Sequence, residues 1–132
     1  VTVVHSPHNQ ISFTAAENIA PWLRVKINPT PATGLPTVSI ADADDANWIG
    51  LLVPTPYTDQ STTGNVGTAV TVRLNSGGGT FNGIASKAIA RGAELYAAAG
   101  GKISDTGTLV LNAIALNSVS ADGDLIEYIL KT

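Results

Sequence analysis

The 132-residue chain contains no cysteine and no methionine, only two histidines, and aromatic residues at just 5%. Without cysteine there is no disulfide framework and no thiolate zinc site. Charge is scarce as well. Asp, Glu, Lys and Arg make up 13% of the chain, about half the usual share of roughly 25%. Its surface must therefore be made polar by Thr, Ser, Asn and Gly, or be covered by other chains. Seven basic residues against ten acidic ones leave a net charge of −3. That balance argues against nucleic-acid partners, whose affinity rests on Lys and Arg at phosphates. No apolar run reaches the roughly 18–20 residues of a membrane helix, so no membrane partner is expected.

What is present reads as β structure: short runs of β-branched and apolar residues closed by turn residues. Val1–His5 is followed by the breaker Ser6-Pro7-His8-Asn9, and Ile11–Thr14 alternates apolar with polar. Over Trp22–Ile27, Leu23, Val25 and Ile27 form one face and Trp22, Arg24 and Lys26 the other, which predicts a half-buried strand with Leu, Val and Ile inward. Residues 28–66 carry five of the seven prolines, so extended helix is not expected there. Candidate strands in this stretch are 35–41 and 48–53. Val70, Val72 and Leu74 share a face of the next strand. Further strands are read at 81–85, 94–97, 102–104, 108–116 and 125–131, with a helical turn over Ser86–Arg91 and a hairpin turn at Gly100-Gly101. No internal repeat is evident.

The pattern predicts an all-β fold, a small β-barrel or β-sandwich with a short helical turn and an extended N-terminal arm. Residues 1–20 form the arm or first strands, and residues 21–132 a single β-rich domain with Pro-rich loops at 28–66.

Catalytic and metal-binding signals are weak. His5 and His8 flank Pro7 and fall on opposite faces of an extended chain. Asp42, Asp44 and Asp45 resemble part of a calcium loop, but Asn47 and Val53 stand where an EF-hand needs Gly and Glu, so a solvated acidic turn is expected. Ser76-Gly77-Gly78-Gly79-Thr80 lacks the lysine of a phosphate loop and reads as a mobile hairpin tip. Glu94 and Glu127 are the carboxylates a hydrolase would need. Trp22, Trp48 and Tyr57 are the aromatics a carbohydrate site would need. The reading is of a non-enzymatic interaction protein with no cofactor and no bound metal. An N-terminal arm of this type adds a strand to a neighbouring sheet edge. Val1, Val3, His5, Ile11 and Phe13 are its candidate partner-binding residues.

Four segments of the second half, Arg91-Gly92-Ala93-Glu94-Leu95-Tyr96, Gly100-Gly101-Lys102-Ile103-Ser104, Leu109–Leu116 and Asp122-Gly123-Asp124 through Leu130, follow one another in a telling order. This order and spacing resembles the tail of tailed-phage capsid cement, or head decoration, proteins. Asn112 and Ala113 depart from it, standing where that family often has Gly. The resemblance covers about residues 67–132. It implies a β-rich protein on the outer surface of the phage head, bound to the major capsid protein of the expanded shell. It further implies homotrimers at local three-fold positions that stabilise capsomer contacts, without catalysis. The alternative is a virion-borne or secreted β-sandwich module that binds carbohydrate.

Overall fold

The computed structural model describes residues 9–29, 36–54 and 64–131. Ten strands are formed: β1 (Gln10–Ala15), β2 (Arg24–Ile27), β3 (Thr37–Ile40), β4 (Trp48–Val53), β5 (Ala69–Leu74), β6 (Thr80–Ile84), β7 (Glu94–Ala97), β8 (Ile103–Ser104), β9 (Val110–Ala115) and β10 (Leu125–Leu130). Among the described residues the one helical element is a 3-10 turn at Ala99–Gly101. No helix there is long and apolar enough to cross a membrane. The fold is all-β, as the alternation requires. The helical turn lies between β7 and β8, where Gly100 and Gly101 supply φ of 70° and 77°; it is not at Ser86–Arg91, which forms a corner described below.

Contacts divide the chain into two compact units. The first carries β1–β5, the second β6–β10 with the segment Ala41–Ala46. In the first unit the strands close into a barrel in the order β1-β3-β2-β4-β5. All neighbours are antiparallel except β1 and β3, which run parallel through Thr14–Thr37 and Ala15–Val38. Its core holds Ala15, Val25, Val38, Leu51, Leu52, Val70 and Val72. Val70 and Val72 point inward as the alternation predicts.

β2 departs from the expected facing. Arg24 is fully buried and Ile27 is exposed. Leu23 and Val25 are buried as expected. The register against β4 slips past Val25: Val25 pairs with Gly50 but Lys26 with Trp48, which leaves Ile49 as the extra residue on β4. The buried Arg24 guanidinium lies over the Trp48 ring, 5.9 Å from its centroid, an arrangement in which the ring face offsets part of the cost of burying charge.

The second unit is a five-stranded sheet in the order β6-β10-β9-β7-β8. A parallel bridge pairs Ala85, the residue after β6, with Ile103 of β8, matching the parallel Ala15–Val38 pair of β1 and β3 in the first unit. Strand for strand, the order is the same in both units. Phe81 and Tyr128 stack in the core with centroids 5.6 Å apart, beside Leu95, Ile103, Leu111 and Ile126.

The backbone therefore repeats where the sequence shows no repeat. Ala15, Ile19, Trp22 and Val25 recur seventy positions later as Ala85, Ile89, Gly92 and Leu95. Each set marks a corner: a strand ends, one residue bridges to a second corner, a residue with positive φ reverses the chain, and a buried residue stands second in the next strand. Each unit has two such corners, which exchange hydrogen bonds with each other. In the second unit, Ile89 and Val119 exchange N–H···O bonds of 3.1 and 2.9 Å, the Gly92 N–H donates to the Ala115 carbonyl at 2.8 Å, and the Gly123 N–H donates to the Ala85 carbonyl at 2.8 Å. In the first unit, Ile19 and Gly64 exchange bonds of 2.8 Å, Trp22 donates to Leu52, and Gly67 donates to Ala15. The four reversing residues have φ of 71° (Trp22), 81° (Gly67), 86° (Gly92) and 93° (Gly123). Glycine adopts this region without steric cost; Trp22 occupies it as a bulky residue, where the conformation is strained.

Candidate partner-binding edge

Of the five partner-binding candidates, Val1, Val3 and His5 lie outside the described residues. Ile11 and Phe13 lie on β1, within the first barrel and not on a detached arm: Gln10–Thr14 pairs in register with Arg73–Ala69 of β5. Ile11 is 47% exposed and Phe13 half-buried. Together with Ser12, Thr14, Pro36 and Ala69 they line a groove of about 280 Å³. None of the six carries a charge.

Four of these lining residues are consecutive. Ala69 is the β5 partner of Thr14, and Pro36 stands just before β3, so the groove is bordered from both neighbouring strands. β5 pairs with one edge of β1 from Gln10 to Thr14, and among the described residues β3 pairs with the other edge at Thr14 and Ala15. Seventy positions later the same place is filled differently: Phe81, the counterpart of Ile11, is 3% exposed and stacked on Tyr128.

A second apolar surface lies on β10 and β9. Leu125 and Ile129 point outward at 48% and 42% exposure, with Ile126 and Tyr128 inward, as the alternation predicts. Ile129 pairs with Ile114, and Leu125 with Ile84. The exposed ion pair between Glu94 of β7 and Lys131, just after β10, is 2.9 Å long and lies in the same unit.

The remaining sequence candidates have structural work. The Asp42 N–H donates to the Asp45 carboxylate at 2.7 Å, and the Asp42 carboxylate accepts from the Gly100 N–H at 2.9 Å. The acidic stretch is thus a wired turn. No group of three or more His, Asp or Glu side chains among the described residues is placed to hold a metal ion. The glycine run after β5 is anchored, because Arg73 donates to the Gly78 carbonyl and Gly77 is buried. Glu94 faces Lys131. The Trp48 ring faces Arg24, and Tyr57 lies outside the described residues. Sequence reasoning did not single out Ser12 or Pro36 as binding residues, since which strands border a groove is a property of strand order and not of residue type.

No family model matches the chain, and no curated protein matches it. Among solved structures the chain is similar to one described as the crystal structure of head fiber gp8.5 N base in bacteriophage phi29. The TM-score is 0.67 over 92% of each chain, at 13% sequence identity. At that identity the likeness establishes a common fold.

Proposed function

We propose that this chain is a structural component of a phage head: a decoration protein bound to the outer surface of the expanded shell, which stabilises contacts between capsomers. The observation that carries the reading is the fold shared over nearly the full length with a phage head fiber base. The order of glycine turns and short strands in residues 67–132, similar to capsid cement proteins, supports it independently. The low charge fits a protein that buries neutral surface against other chains.

The mechanism is multivalent clamping. Three copies joined at a local three-fold position each make a modest contact with the major capsid protein. Linkage raises the effective concentration of the second and third contacts once the first has formed. Closed three-fold assembly also hides apolar side chains such as Leu125 and Ile129, left outside at this charge density.

The test is sedimentation of the purified chain with expanded heads that lack it, followed by electron microscopy of the decorated particles. The expected result is saturable binding with density at local three-fold positions, and heads that release DNA at a higher temperature. A chain that stays in the supernatant at saturating concentration would refute the reading.

A further inference from the structure

The charged side chains of residues 79–131 pair off almost completely. Lys87 meets Asp105 at 3.1 Å, Lys102 meets Asp122 at 2.8 Å, and Lys131 meets Glu94 at 2.9 Å. Asp124 caps its own turn, accepting from the Ser120 and Ala121 N–H groups at 3.0 Å. Among the described residues this leaves one cation and one anion, Arg91 and Glu127, whose side chains make no ion pair and no hydrogen bond. Both stand beside the end of β9. The Arg91 N–H donates to the Ser118 hydroxyl at 2.9 Å, and the Glu127 N–H to the Asn117 side chain at 2.7 Å. Each belongs to a patch of its own. Glu127 is flanked on β10 by the exposed Leu125 and Ile129, and beyond the end of β9 by the exposed Leu116, whose N–H bonds to the Glu127 carbonyl at 2.8 Å. Arg91 stands on the corner with Ala88, Ala90 and Gly92, all exposed and none with more than a methyl side chain. The counterpart strand of the first unit differs. Thr14 pairs with Ala69 as Ile84 pairs with Leu125, so Ala69, Thr71 and Arg73 of β5 stand where β10 has Leu125, Glu127 and Ile129.

We infer that the Leu125–Ile129 face of β10 seats a second copy of this chain, in solution as well as on the shell, with the Ser86–Gly92 corner of the incoming copy bringing its Arg91 onto Glu127. The inference rests on the trimeric head-decoration reading above and names the surface by which the copies join. Charge complementarity selects the occupant. A cluster of exposed aliphatic side chains marks an interaction surface. Covering this one also takes the Glu127 carboxylate out of water, which is costly unless the partner supplies a cation. The chain carries that cation itself, on a corner whose neighbouring side chains are too small to hold the two surfaces apart. An apolar centre that encloses one opposite-charge pair fixes register as well as contact. The two patches are different, so copies meet head to tail, and such contacts close into a ring when the rotation is complete. Three copies hold three Arg91–Glu127 pairs, each flanked by Leu116, Leu125 and Ile129.

The test is sedimentation equilibrium of the full chain beside Arg91→Glu, Glu127→Arg, the double exchange of both, and Leu125→Ser. All three positions are exposed, so each variant should keep the circular dichroism of the unaltered chain. The expected result is a trimer for the unaltered chain. Each single charge reversal sets like charges together and raises the concentration needed for assembly by at least about tenfold. Leu125→Ser weakens assembly as well, and the double exchange, which restores opposite charges across the contact, recovers it. Three results would overturn the inference: a chain still monomeric at about 1 mM, where even weak association is visible; a trimer indifferent to the single reversals; or a double exchange no better than either single variant. Should the unaltered chain bind expanded heads while remaining monomeric in solution, this inference falls alone, and the face is a contact with the shell. Should it assemble as described but leave heads undecorated, the decoration reading falls and the self-contact stands.

Discussion

Gly92 reverses the chain at a corner with φ of 86°, and a Cβ placed there meets no atom within 4 Å. Gly92→Ala therefore isolates one effect, the cost of holding an L-residue in the left-handed region. That cost is about 1–2 kcal/mol. The second unit is about as long as the 60–100-residue domains for which 1 kcal/mol shifts Tm by roughly 4–8 °C, so Tm should fall by about 4–16 °C. The corner hydrogen bond is kept, because alanine retains the N–H that Gly92 donates to Ala115. Gly123→Ala should lose the same amount, since it stands in the partner corner with φ of 93° and equally open space. Thermal and urea denaturation followed by circular dichroism measure both. A D-alanine at position 92, introduced by semisynthesis, is the control. It adopts positive φ freely and restricts the unfolded chain, so it should stabilise by about 0.4–1 kcal/mol. If L- and D-alanine gave the same stability, the corner would not be governed by backbone handedness and the reasoning would be wrong.

Gly50→Ala should be worse than either corner substitution, because its Cβ would enter the Arg73 carbonyl of the neighbouring strand. Overpacking against backbone costs about 3 kcal/mol, read as loss of the Trp signal transition at lower urea. Lys131→Ala should change stability by no more than about 0.5 kcal/mol, since the pair with Glu94 is exposed on both sides. Its small effect should vanish in 1 M salt, where the screening length is about 3 Å; a loss of several kcal/mol would show that the pair is buried in an assembly.

The strands were legible because their alternation is clean. Val70 and Val72, and later Ile126 and Tyr128, face the core as their parity demands. β2 was misread at Arg24, not at Leu23 and Val25, because the Trp48 ring that covers the Arg24 guanidinium comes from another strand and leaves no mark in Trp22–Ile27. The duplication was hidden for a different reason. Its positions carry small or interchangeable apolar residues, and its glycine signal is broken at Trp22, where tertiary bonding to Leu52 holds a conformation the residue disfavours. The helical turn read at Ser86–Arg91 is a corner because Ile89 bonds to Val119, thirty residues away, and so cannot complete a local turn. Ile11 and Phe13 were picked out as partner-binding side chains of a strand-donating arm; both border the groove, but from within the barrel. That they do so beside the β1–β5 pairing and Pro36 depends on strand order, which residue type does not reveal.

Having one architecture twice in a chain permits a division of labour. The sibling with the stacked Phe81 and Tyr128 can act as the folding anchor, so selection acts more gently on its twin. Mutations that loosen packing around Ile11 are then survivable, and a surface can be tuned to a new neighbour without endangering the whole polypeptide. Drift should therefore run faster along the Ile11 strand than along its Phe81 counterpart, except at positions that touch the neighbour.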